Sequence, residues 1–271
     1  MADDFEEKYF SGKHLYGDDF TEKQIAKWYR EEENASYAQR ERRGVSHVDQ
    51  YQALNHYHLF KYLVGNFSSC VAIGCAGGEE LIPLAHRVTK FIAIEPAEEW
   101  WTSDISGVPV KYIKPNIKGT IPLTSECCGL VVCLSVLHHI PNVSFVLSEI
   151  ARILEPGGLL LLREPNNILG DWRQPRGNGG SPNERGLPTL WLQKTMKQLG
   201  LDIIHRSFSM FPATWILSSI FGVRMPFNSP FVTTLDAFLS QITAWNISYY
   251  RNTILKKIAP GTNCYIARKL G

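Results

Sequence analysis

Two adjacent histidines, His138 and His139, stand in the stretch LHHIPN, directly after a short apolar run. An imidazole titrates close to neutral pH, so either ring can take a proton from a reacting hydroxyl or amine. The alternative is structural: one ring packs beneath a ligand and the other bonds backbone. Arg163 and Glu164 end a second apolar run, in LLREPNN. Glu164 can orient a polar acceptor, and Arg163 can clamp a carboxylate or phosphate; alternatively the two pair with each other. Asn183, Glu184 and Arg185, in SPNERGLP, offer either polar contacts to an acceptor or caps and surface charge.

A third constellation is the turn CVAIGCAGGEE, Cys70 to Glu80, where an apolar strand runs into glycines. A dinucleotide fingerprint reads G-x-G-x-x-G. Here Gly74 fits, Ala76 stands second, and Glu79 occupies the third glycine position. A carboxylate there opposes the negative charge of a pyrophosphate. Glu95 follows the next strand, where an acidic side chain can accept both hydroxyls of a ribose. Turn and acid together favour a nucleoside ligand over a solvent-facing strand end.

These residues sit on an alternating pattern. Apolar runs at CVAIG, FIAIE, VKYI, GLVVCLSV, GLLLLRE and LDIIHRSFSM lack a clean two-residue period, as strands buried on both faces do. Most are separated by helical segments, EELIPLAHRV, AEEWWTSD, VSFVLSEIARIL and PTLWLQKTMKQLG, which implies a parallel sheet covered on both sides. Ahead of the first strand, Ile25, Trp28, Tyr29 and Tyr37 carry a helical rhythm that Thr21 can cap. A second helix is expected over about 48–64. The Gly-, Pro- and Asn-rich stretch 166–186 reads as a long loop. Residues 211–260 break the alternation and read as helical and aromatic, and NCYIARKL supplies one more strand.

The ordered set VAIGCAGGEE, IAIEPA, LVVCLSVLHHIPN and EIARILEPGGLLLLREP resembles the class I S-adenosylmethionine-dependent methyltransferases over about residues 69–165. The resemblance implies a doubly wound, mostly parallel seven-stranded Rossmann-like sheet with helices on both faces and an antiparallel last strand. It divides the chain into an N-terminal helical cap (1–46) and a methyltransferase domain (47–271), with a helical insertion or lid at 210–260. By the same comparison Gly74, Ala76 and Gly78 lie against the methionine part of S-adenosyl-L-methionine and Glu95 holds its ribose. Asn116 lies near the adenine amine, and Leu134 and Ser135 pass beside the cofactor. His138, His139 and Glu164 are the catalytic candidates. The chain departs from the family pattern at Ala72 and Gly129, where an acid is usual, at Ala76 for glycine, and at Asn116 for aspartate.

The expected activity is methyl transfer to a small-molecule or glycan-type acceptor, with oxygen favoured. Two other classes remain open: a catalytically silent protein of the same fold, encouraged by Ala72 and Gly129, and an NAD(P)-dependent reductase, opposed by Glu79. With 271 residues, 44% hydrophobic and 20% charged, the chain can bury a full core, and its net charge of +2 makes no case for nucleic acid. Six cysteines without a CxxC pair read as reduced thiols rather than metal ligands and suit the cytoplasm, as does the lack of a basic leader before an apolar run. In 211–260, Leu235, Phe238, Leu239, Ile242, Trp245 and Tyr249 share one helix face, and Arg251, Lys256 and Lys257 gather toward its end. That face either closes over the sheet as a lid or stays exposed and meets a membrane surface. The oligomeric state is not legible.

Overall fold

The computed structural model describes residues 5–43, 51–169, 183, 185–222 and 225–271, without the side chains of 33–43. Most of the loop expected at 166–186, Glu184 and the Tyr37 ring lie outside these. Among the described residues eight strands form one sheet: β1 (Cys70–Ile73), β2 (Phe91–Ile94), β3 (Asp104–Ile105), β4 (Val108–Ile113), β5 (Cys128–Leu134), β6 (Leu154–Pro165), β7 (Leu201–Ser209) and β8 (Thr262–Lys269). Their order is β3-β4-β2-β1-β5-β6-β8-β7. Strands β4, β2, β1, β5 and β6 pair parallel, and β8 lies antiparallel between β6 and β7. The doubly wound sheet with an antiparallel last strand is therefore present. The strand beyond the expected seven is β3, half of a hairpin with β4. Ser106 and Gly107 turn that hairpin with φ of 53° and 79°, as a two-residue loop matched to strand twist requires.

Alternate strand residues feed two cores. Val71, Val131, Leu160 and Tyr265 pack on one face, with Leu147 and Ile150 of helix α3 (Val143–Ile153), counting α1 as Glu22–Arg43 and α2 as Gln52–His58. Ala72, Leu130, Leu161 and Ile266 pack on the other, with Leu59, Phe60 and Leu84. Residues one apart on a strand point to opposite faces, so near-continuous apolar runs are what a twice-covered sheet needs.

At the start of helix α1, Gln24 Oε1 reaches back and accepts from the backbone N–H and the hydroxyl of Thr21 at 3.0 and 2.8 Å, one half of a capping box. After the glycine turn the expected α-helix is instead a 3₁₀ helix, Glu79–Arg87, with Pro83 inside. Proline has no N–H to close an α-helical turn, which accounts for the change. Helix α4 (Thr189–Gln198) leads to β7.

The insertion between β7 and β8 holds α5 (Pro212–Ile220), α6 (Pro230–Ile242) and the single turn α7 (Ile254–Lys257). Asp236 on α6, fully buried, fixes it to the end of β7. Its carboxylate accepts from the Met210 and Phe211 N–H groups at 2.8 Å each and from the Thr214 hydroxyl at 2.6 Å. Burial raises the Asp236 pKa, and those donors oppose the rise. Removing the carboxylate strands several buried donors at once, so Asp236→Ala should cost about 3 kcal/mol of stability. A urea midpoint equal to that of the parent would show that this seam is held by something else.

Candidate active site

Ligand sites in open α/β sheets lie beyond the carboxyl ends of the strands where the strand order reverses. Here that point falls between β1 and β5. The turn after β1 carries left-handed backbone at Gly74, Ala76 and Gly78, with φ of 60°, 48° and 84°. A Cβ on Gly74 would collide with Val136, and one on Gly78 with Ile105. Ala76 therefore sits in a conformation that suits glycine, at a cost on the order of 1–2 kcal/mol. The Glu79 carboxylate folds over the turn, 2.6 Å from where a Gly77 Cβ would stand.

Glu95 binds the same turn from the end of β2. Its oxygens accept from the Ala76 N–H at 2.9 Å and the Ala97 N–H at 3.0 Å, and Tyr112 donates to the Ala76 carbonyl at 2.9 Å. Glu95 is buried, and desolvation raises its pKa against the pull of those two N–H groups. Each carboxylate oxygen has a second acceptor position. Asn116 spends its oxygen locally, accepting from the Lys118 and Thr120 N–H groups at 3.0 and 2.9 Å.

The histidine loop follows β5. Leu134 ends the strand, and Ser135 turns it with φ of 59°. Glu164, at the end of neighbouring β6 and fully buried, holds the loop with its whole carboxylate. One oxygen accepts from the Val136 and Leu137 N–H groups at 2.8 and 2.7 Å. The other meets the His138 N–H at 3.3 Å and His138 Nδ1 at 2.9 Å. His139 Nδ1 lies 2.8 Å from Glu32 of α1, and the two imidazole rings are 4.0 Å apart. Two carboxylate–imidazole pairs therefore stand side by side.

Arg163 and Glu164 do not pair with each other. As successive strand residues they point to opposite faces. Arg163, 1% exposed, reaches Ser135 Oγ at 3.1 Å, Glu80 at 3.0 Å and the Asn55 oxygen on α2, and lies over the Tyr51 ring. Arg185 is equally buried and serves backbone: it donates to the carbonyls of Tyr16, His138, Ile140 and Pro141. Burial lowers its pKa to about 10, which leaves it charged at neutral pH. Asn183 donates to Glu31 at 3.0 Å. Trp28 donates to the His139 carbonyl at 2.8 Å, so the N-terminal aromatics support this loop.

Glu32 and Asn55, on helices, and Tyr51, just ahead of one, join the site without any signal in the sequence. Glu80 was in plain view beside Glu79, and its partner lies 83 positions away. Of the departures from the family pattern, Ala72 is buried inside β1, whereas Gly129 is the second residue of β5, at the opposite edge, beside a 430 Å³ cavity lined in part by Glu155 and Arg268. Among the described residues no group of three or more metal-ligating side chains occurs.

Residues 71–162 match a family described as a methyltransferase domain. Ubiquinone biosynthesis O-methyltransferase of Proteus mirabilis is 26% identical over 105 residues, 37% of this chain and 43% of that protein. The enzyme of the same name from Rhizobium rhizogenes is 26% identical over 174 residues, 56% of this chain and 68% of that one. The first match thus spans less than half of its relative. Among solved structures, an S-adenosylmethionine-dependent methyltransferase from Thermotoga maritima superposes with a TM-score of 0.53 at 16% identity, over 89% of this chain and 99% of that one. The YcgJ protein of Bacillus subtilis gives 0.50 at 14% identity, over 81% and 98%. At these identities the structural likeness is one of fold. Sheet order and sequence match agree: residues 71–162 carry a methyltransferase domain, in a fold shared with S-adenosylmethionine-dependent methyltransferases.

Proposed function

We propose that the protein transfers the methyl group of S-adenosyl-L-methionine to a hydroxyl of a small-molecule or glycan-type acceptor. The observation that carries this reading is the pairing, at 2.9 Å, of buried Glu164 with half-buried His138 on the loop that packs against the glycine turn. The turn fits the cofactor. Gly74, Ala76 and Gly78 keep the backbone approachable, Glu95 retains acceptor capacity for a ribose diol, and Glu79 presents an anion suited to an amino group. That same anion disfavours a dinucleotide pyrophosphate. Leu134 and Ser135 border the site, while Asn116 contributes the shape of its loop.

When bound, the cofactor supplies a methyl group already activated by a sulfonium, so the protein's task is alignment and proton removal. Glu164 accepts the proton on His138 Nδ1, which assigns Nε2 the role of base toward an acceptor hydroxyl and stabilises the imidazolium that results. Glu164 is a positioning residue in this scheme, because its four acceptor positions are already engaged. His139, tied to Glu32, anchors the N-terminal helix. The relatives named O-methyltransferases agree with oxygen as the acceptor atom. A second reading, cofactor binding without turnover, draws on Ala72 in place of an acid.

Two measurements test the reading. Glu95→Ala removes charged hydrogen-bond acceptors worth about 1.5–3 kcal/mol, so S-adenosylmethionine should bind roughly tenfold more weakly or worse by calorimetry. Unchanged affinity in a folded variant would sink the ribose assignment. His138→Gln should cut release of S-adenosylhomocysteine across a panel of hydroxyl acceptors by about 100-fold while cofactor affinity holds. Turnover within about threefold of the parent would remove His138 as the base. A parent protein that binds the cofactor and turns over none of the panel would favour the silent reading.

A further inference from the structure

Helix α6 is amphipathic in the wrong sense for a soluble lid. Thr233, Asp236 and Ser240 face inward and are fully buried. Phe231, Leu235, Phe238 and Ile242, spaced 4, 3 and 4 residues apart, form one stripe that faces out, with Phe231 at 77% and Phe238 at 61% exposed. Trp245 continues it at 80% exposed. Helix α5 repeats the inversion: Thr214 and Ser218 are buried, while Ile220 and Phe221 stand 71% and 77% exposed. The apolar face therefore does not close over the sheet.

The two helices form one surface. Asp236 ties α6 to the start of α5, Trp215 packs edge-on against Phe227 between them, and Asn246 donates to the Leu255 and Ile258 carbonyls of the α7 turn. Soluble monomers rarely expose contiguous apolar area on this scale without a use for it. Its charge narrows the occupant. Asp236 is the one acidic residue between Phe211 and Pro260, and it is buried; Lys256 and Lys257 are exposed on the α7 turn. An isologous contact through this segment would bring two pairs of lysines into one interface with no carboxylate from the segment to answer them. Aromatic rings with flanking lysines and no exposed acid match the interface of an anionic bilayer.

We infer that α5, α6 and the α7 turn form a docking surface for an anionic lipid bilayer. The surface leaves the sheet at the carboxyl edge that carries His138, since Thr262 pairs with both Ser209 and Pro165. This inference concerns where the protein sits and stands whether or not methyl transfer is confirmed.

The test is co-sedimentation of the full chain with phosphatidylcholine vesicles, with and without phosphatidylglycerol, at low and high salt. The parent should sediment with the anionic vesicles and be released by salt. The combined variant Phe231→Ser, Phe238→Ser, Trp245→Ser, checked by circular dichroism, should lose at least about tenfold in partitioning. Lys256→Gln with Lys257→Gln should weaken only the phosphatidylglycerol-dependent part. Parent protein left in the supernatant at low salt would overturn the inference, as would a triple variant that sediments like the parent. A parent dimer by analytical ultracentrifugation that the triple variant abolishes, with no vesicle binding, would overturn it in favour of a second copy.

Discussion

One buried carboxylate sets the geometry of the whole carboxyl edge. Glu164 ends a strand that is paired on both sides, so its position is fixed by two ladders of backbone hydrogen bonds. From there it takes three successive N–H groups and an imidazole of the loop after β5. A short loop with a left-handed residue at its start has many alternatives open to it, and this contact selects one. Ser135 is held in that strained conformation from the other side by Arg163, so the loop is gripped by two consecutive residues of one strand.

Around that loop the protein buries guanidinium groups in place of a conventional apolar seal. Arg163, Arg185 and Arg251 are among the largest fully buried side chains. Arg251 donates to the Ala259 and Pro260 carbonyls and to Asn166, closing the far end of the insertion onto the segment after β6. A guanidinium offers five donors in a fixed plane, so one side chain can satisfy carbonyls from several loops that lack partners of their own. The cost of removing the charge from water is met only when every donor is used, which makes such residues sensitive to the placement of all their partners. In this fold they tie together segments that the sheet itself does not reach.

Much of this was legible in the sequence, and the reasons are local. Strands covered on both faces read as apolar runs, and a glycine turn followed by an acid is recognisable because both depend on backbone shape within about 20 residues. Contacts such as Arg163 to Asn55 and His139 to Glu32 span more than a hundred positions and leave no periodic trace. The supposed Arg163–Glu164 pair shows how adjacency misleads, since strand geometry sends neighbours apart. Periodicity grouped Leu235, Phe238 and Ile242 on one face of α6 but carried no sign of which way that face turns. The inward residues are hydroxyls and one aspartate, and only the fold reveals that the segment after β7 offers that aspartate its N–H donors.

Arg185 couples two regions that would otherwise open independently. It donates at once to Tyr16 in the N-terminal segment and to the carbonyls of His138, Ile140 and Pro141 in and after the histidine pair. Chain termini usually fray with little free-energy cost. Here, lifting the segment strips a nearly inaccessible cation of one acceptor and uncovers the bonds that Trp28 and Glu32 make to His139. The segment from Tyr16 to Glu32 and the histidine loop are therefore expected to open as one cooperative unit.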